Sequence, residues 1–225
     1  MGEAIGQILP MAVGVAISPI PIIAVILMLV TRQARVNGPA FVLGWLIGLG
    51  IIGIVVIGVA GGTVAGSDGT ASGRMVLLEL VLGGLLLLVA VRQFRSRPRE
   101  GEAASMPKWM GAIDGLTPVK ALGAGALLSG LNPKNLLLAV GAAATIAQAG
   151  VSTGQQALAY VVFAVIAAIG VASPVVIYFA LGDRAPAVLD RMKSWMGQNN
   201  AVIMTILCLI LGVKLIGQAL GGLSG

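Results

Sequence analysis

The sequence contains no histidine, one cysteine and few charged residues. Without histidine it lacks the commonest metal ligand and general base. With Cys208 alone it can form neither an internal disulfide nor a two-cysteine redox pair. It also has no Walker-type phosphate loop, which argues against ATP as a direct energy source. We therefore expect the chain not to be an enzyme and to bind no cofactor.

Hydrophobic residues make up 58% of the chain and charged residues only 10%. The apolar runs are continuous and about 20 residues long, enough for a helix to cross the hydrocarbon core. This pattern predicts an all-α integral membrane protein and disfavours alternating barrel strands. We expect six transmembrane helices at about 6–30, 38–60, 74–93, 119–147, 155–180 and 200–221.

Basic residues concentrate on one side of this topology. The connections after the first, third and fifth spans carry eleven of the fourteen lysines and arginines. The positive-inside rule then places these connections in the cytoplasm and both termini outside. The net charge of +6 is explained by topology and by contact with anionic membrane lipids, so no nucleic-acid partner is expected.

Two cytoplasmic segments, 105–116 and 183–200, each contain a tryptophan, Trp109 and Trp195. Tryptophan favours the membrane interface, so both segments are predicted to lie along the membrane surface. Asn199 or Asn200 would then cap the sixth span. Ordinary polar loops are the alternative.

Two proline breaks divide the chain. The motif "SPIPI" interrupts the first span and "NPKN" the fourth, with Pro19 and Pro133 separated by about half the chain. This spacing predicts two three-helix repeats, about 1–93 and 119–225, joined by a cytoplasmic connector at about 94–118 in one membrane domain (1–225). Because each repeat has an odd number of spans, the second must be inverted relative to the first.

The breaks are also the predicted substrate site. Each restarted helix begins with a capping residue and a proline, and its free N–H groups and positive dipole end favour an anion. A lysine next to the second proline adds a full charge. The alternative is that the prolines only shape packing. The predicted substrate-binding residues are Ser18, Pro19, Pro21, Asn132, Pro133, Lys134 and Asn135.

Two further charges lie within the predicted spans. Glu79 and Lys214 have a similar outer depth, so they form either a structural ion pair or a site where Glu79 carries a coupling proton. Glycines four residues apart predict close helix packing and make a homodimer plausible. These pairs are Gly44/Gly48, Gly58/Gly62 and Gly217/Gly221.

The six-span plan, the early "SPIPI" and the "LNPKNLLLA" that opens the fourth span resemble the lysine-exporter (LysE) superfamily. The stretches "MPKWMGAIDGLTPVKALGAGALLSGLNPKNLLLAVGAA" and "WMGQNNAVIMTILCLILGVKLIGQAL" are similar to its GAP branch, the Sap-like peptidoglycolipid- or sulfolipid-addressing proteins. The resemblance implies a secondary exporter in the inner membrane of a bacterium. Its substrate would be an envelope glycolipid or a similar anionic amphiphile.

Two alternatives stay open at this point. The chain could export a small amino-acid-like metabolite instead of a lipid. It could also be a non-transporting scaffold that partners envelope lipid-synthesis or lipid-export proteins through its basic face. The broken helices favour a transporter, because a scaffold has no need of costly breaks within the membrane.

Overall fold

The computed structural model describes residues 1–64, 70–96 and 116–223, and within these ranges it contains helices and no strand. A short 3-10 turn, Gly182–Arg184, joins the last two helices. The helices are α1 (Gly2–Ala16), α2 (Pro19–Met28), α3 (Ala34–Val64), α4 (Thr70–Arg95), α5 (Pro118–Leu131), α6 (Pro133–Ala147), α7 (Thr153–Leu181) and α8 (Ala185–Leu223).

Both predicted proline breaks are confirmed. The first span is divided into α1 and α2, whose axes differ by 51°. The fourth is divided into α5 and α6 at Asn132, which both ends α5 and caps α6. Since proline lacks an N–H and its ring clashes with the preceding turn, a helix that meets Pro19 or Pro133 must end and restart.

By length and composition, three helical stretches of the described residues can cross a membrane: 34–59, 76–95 and 153–222. The bent α1–α2 pair gives a fourth, and α5 and α6 are shorter apolar helices. Large apolar side chains such as Ile54, Val119 and Val176 point outward and are more than 60% exposed. A surface of this kind suits lipid, so the protein is a multi-pass membrane protein.

The sixth predicted span begins much earlier than expected. Helix α8 runs without interruption from Ala185 to Leu223, so neither Asn199 nor Asn200 is an N-cap. Asn199 Nδ2 instead donates to the Trp195 carbonyl one turn back. The reversal from α7 to α8 occurs at Gly182, whose φ of 50° favours glycine. The other predicted surface segment, 105–116, lies outside the described residues apart from its last residue.

Glycine allows three helix pairs to approach closely. A Cβ on Gly44 would overlap the Leu122 carbonyl where α3 packs along α5. A Cβ on Gly170 of α7 would overlap the Ala16 carbonyl of α1. In the α4–α8 pair, a Cβ on Gly83 or on Gly212 would lie 3.0 Å from the other glycine's carbonyl oxygen. The backbones in these pairs are therefore in direct contact.

The glycine prediction is confirmed for Gly44/Gly48, whereas the surroundings of Gly62 lie outside what the structure describes. Gly44 and Gly48 of α3 both face α5. Among the described residues, a Cβ on Gly58, Gly217 or Gly221 would meet nothing within 4 Å, so close helix approach does not require glycine at these positions.

Candidate functional site

The two breaks start their second helices differently. Asn132 caps α6 in the ordinary way, since its Oδ1 accepts a hydrogen bond from the Lys134 backbone N–H at 3.2 Å. Ser18 stands at the matching position before α2, with φ −119° and ψ 100°, but its side chain makes no cap bond. The first break is therefore not closed by its own capping side chain.

Few backbone donors remain at the start of α2. Pro19 and Pro21 have no N–H, and the Ile22 N–H donates to the Ser18 carbonyl at 3.3 Å. Within this first turn that leaves the N–H of Ile20. The positive end of α2 can thus offer an anion one backbone donor, fewer than a helix start normally provides.

Lys134 lies in the first turn of α6, and its side chain is fully buried. Its Nζ donates to the Gly14 carbonyl and, at 3.2 Å, to the Ile17 carbonyl. The ammonium therefore sits at the carbonyl end of α1, where the break leaves acceptors without a helical partner. From the sequence, this charge was expected to lie beside two positive helix ends, but the side chain reaches the negative end of another helix.

Ser18 and Asn135 connect the two breaks directly. Ser18 Oγ donates to Asn135 Oδ1 at 2.7 Å, and both residues have no solvent exposure. Among the described residues, the Asn135 Nδ2 atom has no hydrogen-bond partner. A buried amide donor without an acceptor is unfavourable, so this atom is a ready donor for a bound ligand.

We call Ser18, Lys134 and Asn135 the central cluster. Within the parts of the chain that the structure describes, no carboxylate lies within 4.0 Å of Lys134. The ion pair observed among these residues is Lys193–Asp190, on α8, at 2.6 Å. Cys208 of α8 is fully buried and is a titratable side chain in the neighbourhood of Lys134. The charge of Lys134 is thus balanced by backbone dipoles rather than by an acid.

The other predicted residues lie around this cluster or away from it. Pro19, Pro21, Asn132 and Pro133 shape the two breaks, and both Pro19 and Pro21 are buried. Lys214 is separate: its Nζ donates to the Gln7 carbonyl of α1 at 2.7 Å. Glu79 interacts with Lys214 electrostatically, but the two form no ion pair within 4.0 Å.

Glu79 also borders a cavity of about 350 Å³ at the amino-terminal end of α1. The lining is largely polar and comes from α1, α4, the carboxyl end of α6 and the residues just after it. It consists of Met1, Glu3, Ala4, Gln7, Glu79, Thr145, Gln148 and Ala149. We call this space the outer cavity, after the side on which the sequence analysis places the termini.

Both breaks, the central cluster and the outer cavity's Glu79 fall within residues 8–221, which match one family model. That family is described as Sap, sulfolipid-1-addressing protein. The chain belongs to this family. No curated protein and no solved structure matches the chain.

Membership in the sulfolipid-1-addressing family bears out the Sap-like part of the resemblance drawn from the sequence. The description of the family points to a role in the export or localisation of envelope lipid. The wider relation to the lysine-exporter superfamily stays a prediction.

The partners of Lys134 were not foreseen from the sequence. They are backbone carbonyls of Gly14 and Ile17, and a carbonyl acceptor carries no residue-specific signal. The same is true of Gln7, which accepts from Lys214. The sequence did predict that a lysine inside the membrane would have a partner. Which atoms would supply it depended on how the two breaks cross.

Proposed function

We propose that this member of the sulfolipid-1-addressing family is a secondary exporter. It moves an anionic amphiphile, of the envelope glycolipid class, outward across the inner membrane of a bacterium. The substrate's anionic group binds at the central cluster, and the protein exposes this site alternately to the two sides. In this proposal the chain is a single membrane domain related to the lysine exporters.

The buried lysine carries the proposal. A lysine within a membrane span costs about 2.5–3.5 kcal/mol on insertion scales, and the cost is offset only by suitable partners. Lys134 has two carbonyls as acceptors and no carboxylate within 4.0 Å among the described residues. A sulfate, phosphate or carboxylate that replaced one carbonyl would convert a dipole contact into a charge-assisted hydrogen bond.

Two further donors stand beside that charge. Asn135 Nδ2 has no partner, and the Ile20 N–H lies in the first turn of α2 next to Ser18. Together with Lys134 they offer an oxyanion one full charge and two neutral donors. A helix start with one N–H is a weak anion site alone, so we assign most of the binding energy to Lys134.

The packing supports an inverted repeat of six spans. If the first repeat comprises α1–α2, α3 and α4 and the second comprises α5–α6, α7 and α8, a two-fold exchange turns the α1–α7 contact into the α5–α3 contact. Both contacts are present. The same operation maps the α4–α8 pair onto itself, in keeping with the reciprocal approach of Gly83 and Gly212. Inverted repeats of this kind place the substrate site at the interface between the halves.

Transport in proteoliposomes tests the proposal. The probe is a fluorescent (NBD-labelled) sulfogalactosylceramide, and dithionite quenching reports the fraction in the outer leaflet. Protein should speed its movement between leaflets, and Lys134→Met, which keeps the side-chain length without the charge, should reduce the rate at least tenfold. Lys120→Met, at an exposed position of α5, is the matched control. Movement at the parent rate in Lys134→Met would refute the proposed site.

The same vesicles separate the alternatives. Radiolabelled lysine and glutamate test export of small amino acids in place of lipid. A scaffold would move none of the probes, yet it would still bind envelope lipid-synthesis or lipid-export proteins. The buried, charged break favours the exporter, since a scaffold gains nothing from a lysine that is buried inside the bilayer without a carboxylate partner.

Orientation has its own test. Single cysteines replace the exposed Thr153, where α7 begins, and the exposed Asp183, in the 3-10 turn after α7, in a Cys208→Ser background. An impermeant maleimide added to intact cells should label position 153 and spare position 183. Labelling of both, or of 183 alone, would contradict termini on the outside.

A further inference from the structure

The helices that form the central cluster also reach the outer cavity. Helix α6 begins at Pro133 beside Lys134 and ends near Thr145 and Gln148, which line the cavity. Helix α1 ends at the cluster and begins at the cavity. Each helix is about 22 Å long, at 1.5 Å per residue. Two rigid elements therefore connect the outer cavity to the proposed substrate site.

Helix α1 is held at two points by lysines from the second half of the chain. Lys134 binds the Gly14 and Ile17 carbonyls, and Lys214 binds the Gln7 carbonyl. Pro10 lies within α1 and has no N–H to donate to the carbonyl of Gly6, the neighbour of Gln7, so the helix is weakened in this turn. Any change in the charge around Lys214 therefore acts on the position of α1.

Glu79 is the acidic group that can make such a change. It lies in a span-forming stretch of α4, lines the outer cavity and interacts electrostatically with Lys214. When its carboxylate is charged, it attracts Lys214 away from Gln7. When it is neutral, the Gln7 carbonyl is the stronger partner for the ammonium. A partly buried carboxylate beside a cavity can exchange a proton with water.

Among the charged groups around Glu79, none is a better candidate for the acid that acts on Lys214. Helix α8 contributes Lys214, and the start of α1 contributes Glu3 and the amino group of Met1. The lining side chains Thr145 and Gln148 are neutral. Glu3 is exposed in the first turn of α1, and its carboxylate accepts a hydrogen bond from Gln7 Nε2 at 3.5 Å. Glu3 is therefore the natural control for Glu79.

We infer that Glu79 is the coupling site of the exporter and binds a proton that enters through the outer cavity. This inference rests on the proposed function. Protonation of the carboxylate from the outer side returns Lys214 to Gln7, fixes α1 and favours one state of the central cluster. Loss of the proton to the other side releases α1. The proton joins and leaves the same carboxylate oxygen, so no other reactant is required.

The test compares exchange with net transport. Proteoliposomes with the NBD-labelled sulfogalactosylceramide are prepared with and without a pH gradient, and pyranine in the lumen reports proton movement. Wild-type protein should equilibrate the probe without a gradient and accumulate it in one leaflet when the gradient is imposed. Glu79→Gln should equilibrate the probe within about twofold of the wild-type rate and show no accumulation and no probe-dependent proton movement.

Each result decides a different point. Gradient-driven accumulation by Glu79→Gln, or equal loss in Glu3→Gln, would overturn the assignment of Glu79. If a sodium gradient drove accumulation and a pH gradient did not, the assignment of the proton as the coupling ion would be wrong. If Glu79→Gln lost both exchange and accumulation at unchanged thermal stability, that result would also count against a coupling role. Wild-type protein that moves no probe would refute the proposed function itself, and the proton site with it.

Discussion

The two proline breaks share a capping residue followed by proline, but they are stabilised in different ways. The second break is closed locally, because Asn132 Oδ1 accepts from the backbone N–H of Lys134. The first break depends on the other half of the chain: Ser18 donates to Asn135, and the carbonyl end of α1 is bound by Lys134. The first break also has the second proline, Pro21, which removes a further donor.

This difference indicates which break can change shape. A locally capped helix start retains its hydrogen bond wherever the rest of the bundle moves. A break whose partners come from a distant segment is stable only while the two halves stay in register. We therefore expect the α1–α2 break to respond to substrate and the α5–α6 break to serve as the fixed reference.

The largest expected effect comes from removing the shared lysine. Lys134→Met deletes the donor of the Gly14 and Ile17 carbonyls, so the end of α1 should open while the Asn132 cap persists. Hydrogen exchange in nanodiscs should rise at least tenfold around residues 14–18 and change little around 129–132. Equal increases at both breaks would contradict the asymmetry.

Packing next to each break gives the second comparison. Gly170→Ala places a methyl group against the Ala16 carbonyl at the first break, whereas Gly44→Ala places one against the Leu122 carbonyl, away from either break. Overpacking of this kind costs about 1–3 kcal/mol, so both variants should unfold more readily in detergent. Only Gly170→Ala should also alter transport. Gly50→Ala, which meets nothing within 4 Å, is the neutral control.

Ser18→Ala tests the bond that joins the breaks. Asn135 would lose its Oδ1 donor while its Nδ2 is already without a partner, which costs about 1–3 kcal/mol for a buried polar group. The thermal unfolding midpoint in detergent should fall accordingly. Ser173→Ala removes a hydroxyl that bonds only within its own helix, to the Gly170 carbonyl, and should have little effect. If the two variants behave alike, the Ser18–Asn135 bond is unimportant.

The smallest effect is expected at the local cap. Asn132→Ala should lower the stability by about 1 kcal/mol, the usual value of an N-cap side chain. Asn132→Ser should recover most of this loss, since serine is also a good cap. Failure of serine to rescue would mean that Asn132 acts in another way, such as direct contact with substrate.

The sequence was sufficient to predict the helical class and both breaks, for local reasons. Long apolar runs require helices in a bilayer, and a proline inside such a run forces the backbone to restart. Helix boundaries followed to within a few residues except in α8, which begins at Ala185. No local signal ends the helix between Trp195 and the last span, so the polar stretch there continues as helix. Asn199, which was predicted to be a cap because asparagine favours that position, instead donates through Nδ2 to the Trp195 carbonyl.

The glycine pairs also separate what the sequence predicts from what the packing of the helices decides. The spacing of Gly44/Gly48 and of Gly217/Gly221 is identical, yet among the described residues a Cβ would overlap α5 at the first pair and would meet nothing within 4 Å at the second. Spacing determines that two glycines share a face, but the arrangement of the bundle determines what that face meets.

By itself, the sequence determined that the chain is a multi-pass helical membrane protein of the sulfolipid-1-addressing family, with two interrupted helices and a lysine next to one interruption. These features depend on local chemistry and on continuous stretches of residues. Only the tertiary structure decided that Lys134 reaches the carbonyls of Gly14 and Ile17, and that Lys214 binds Gln7 in preference to Glu79. Each contact joins a lysine side chain to a backbone carbonyl that is 117 to 207 positions away in the sequence. Because a backbone carbonyl is the same at every residue, the sequence does not indicate which one the lysine will bind.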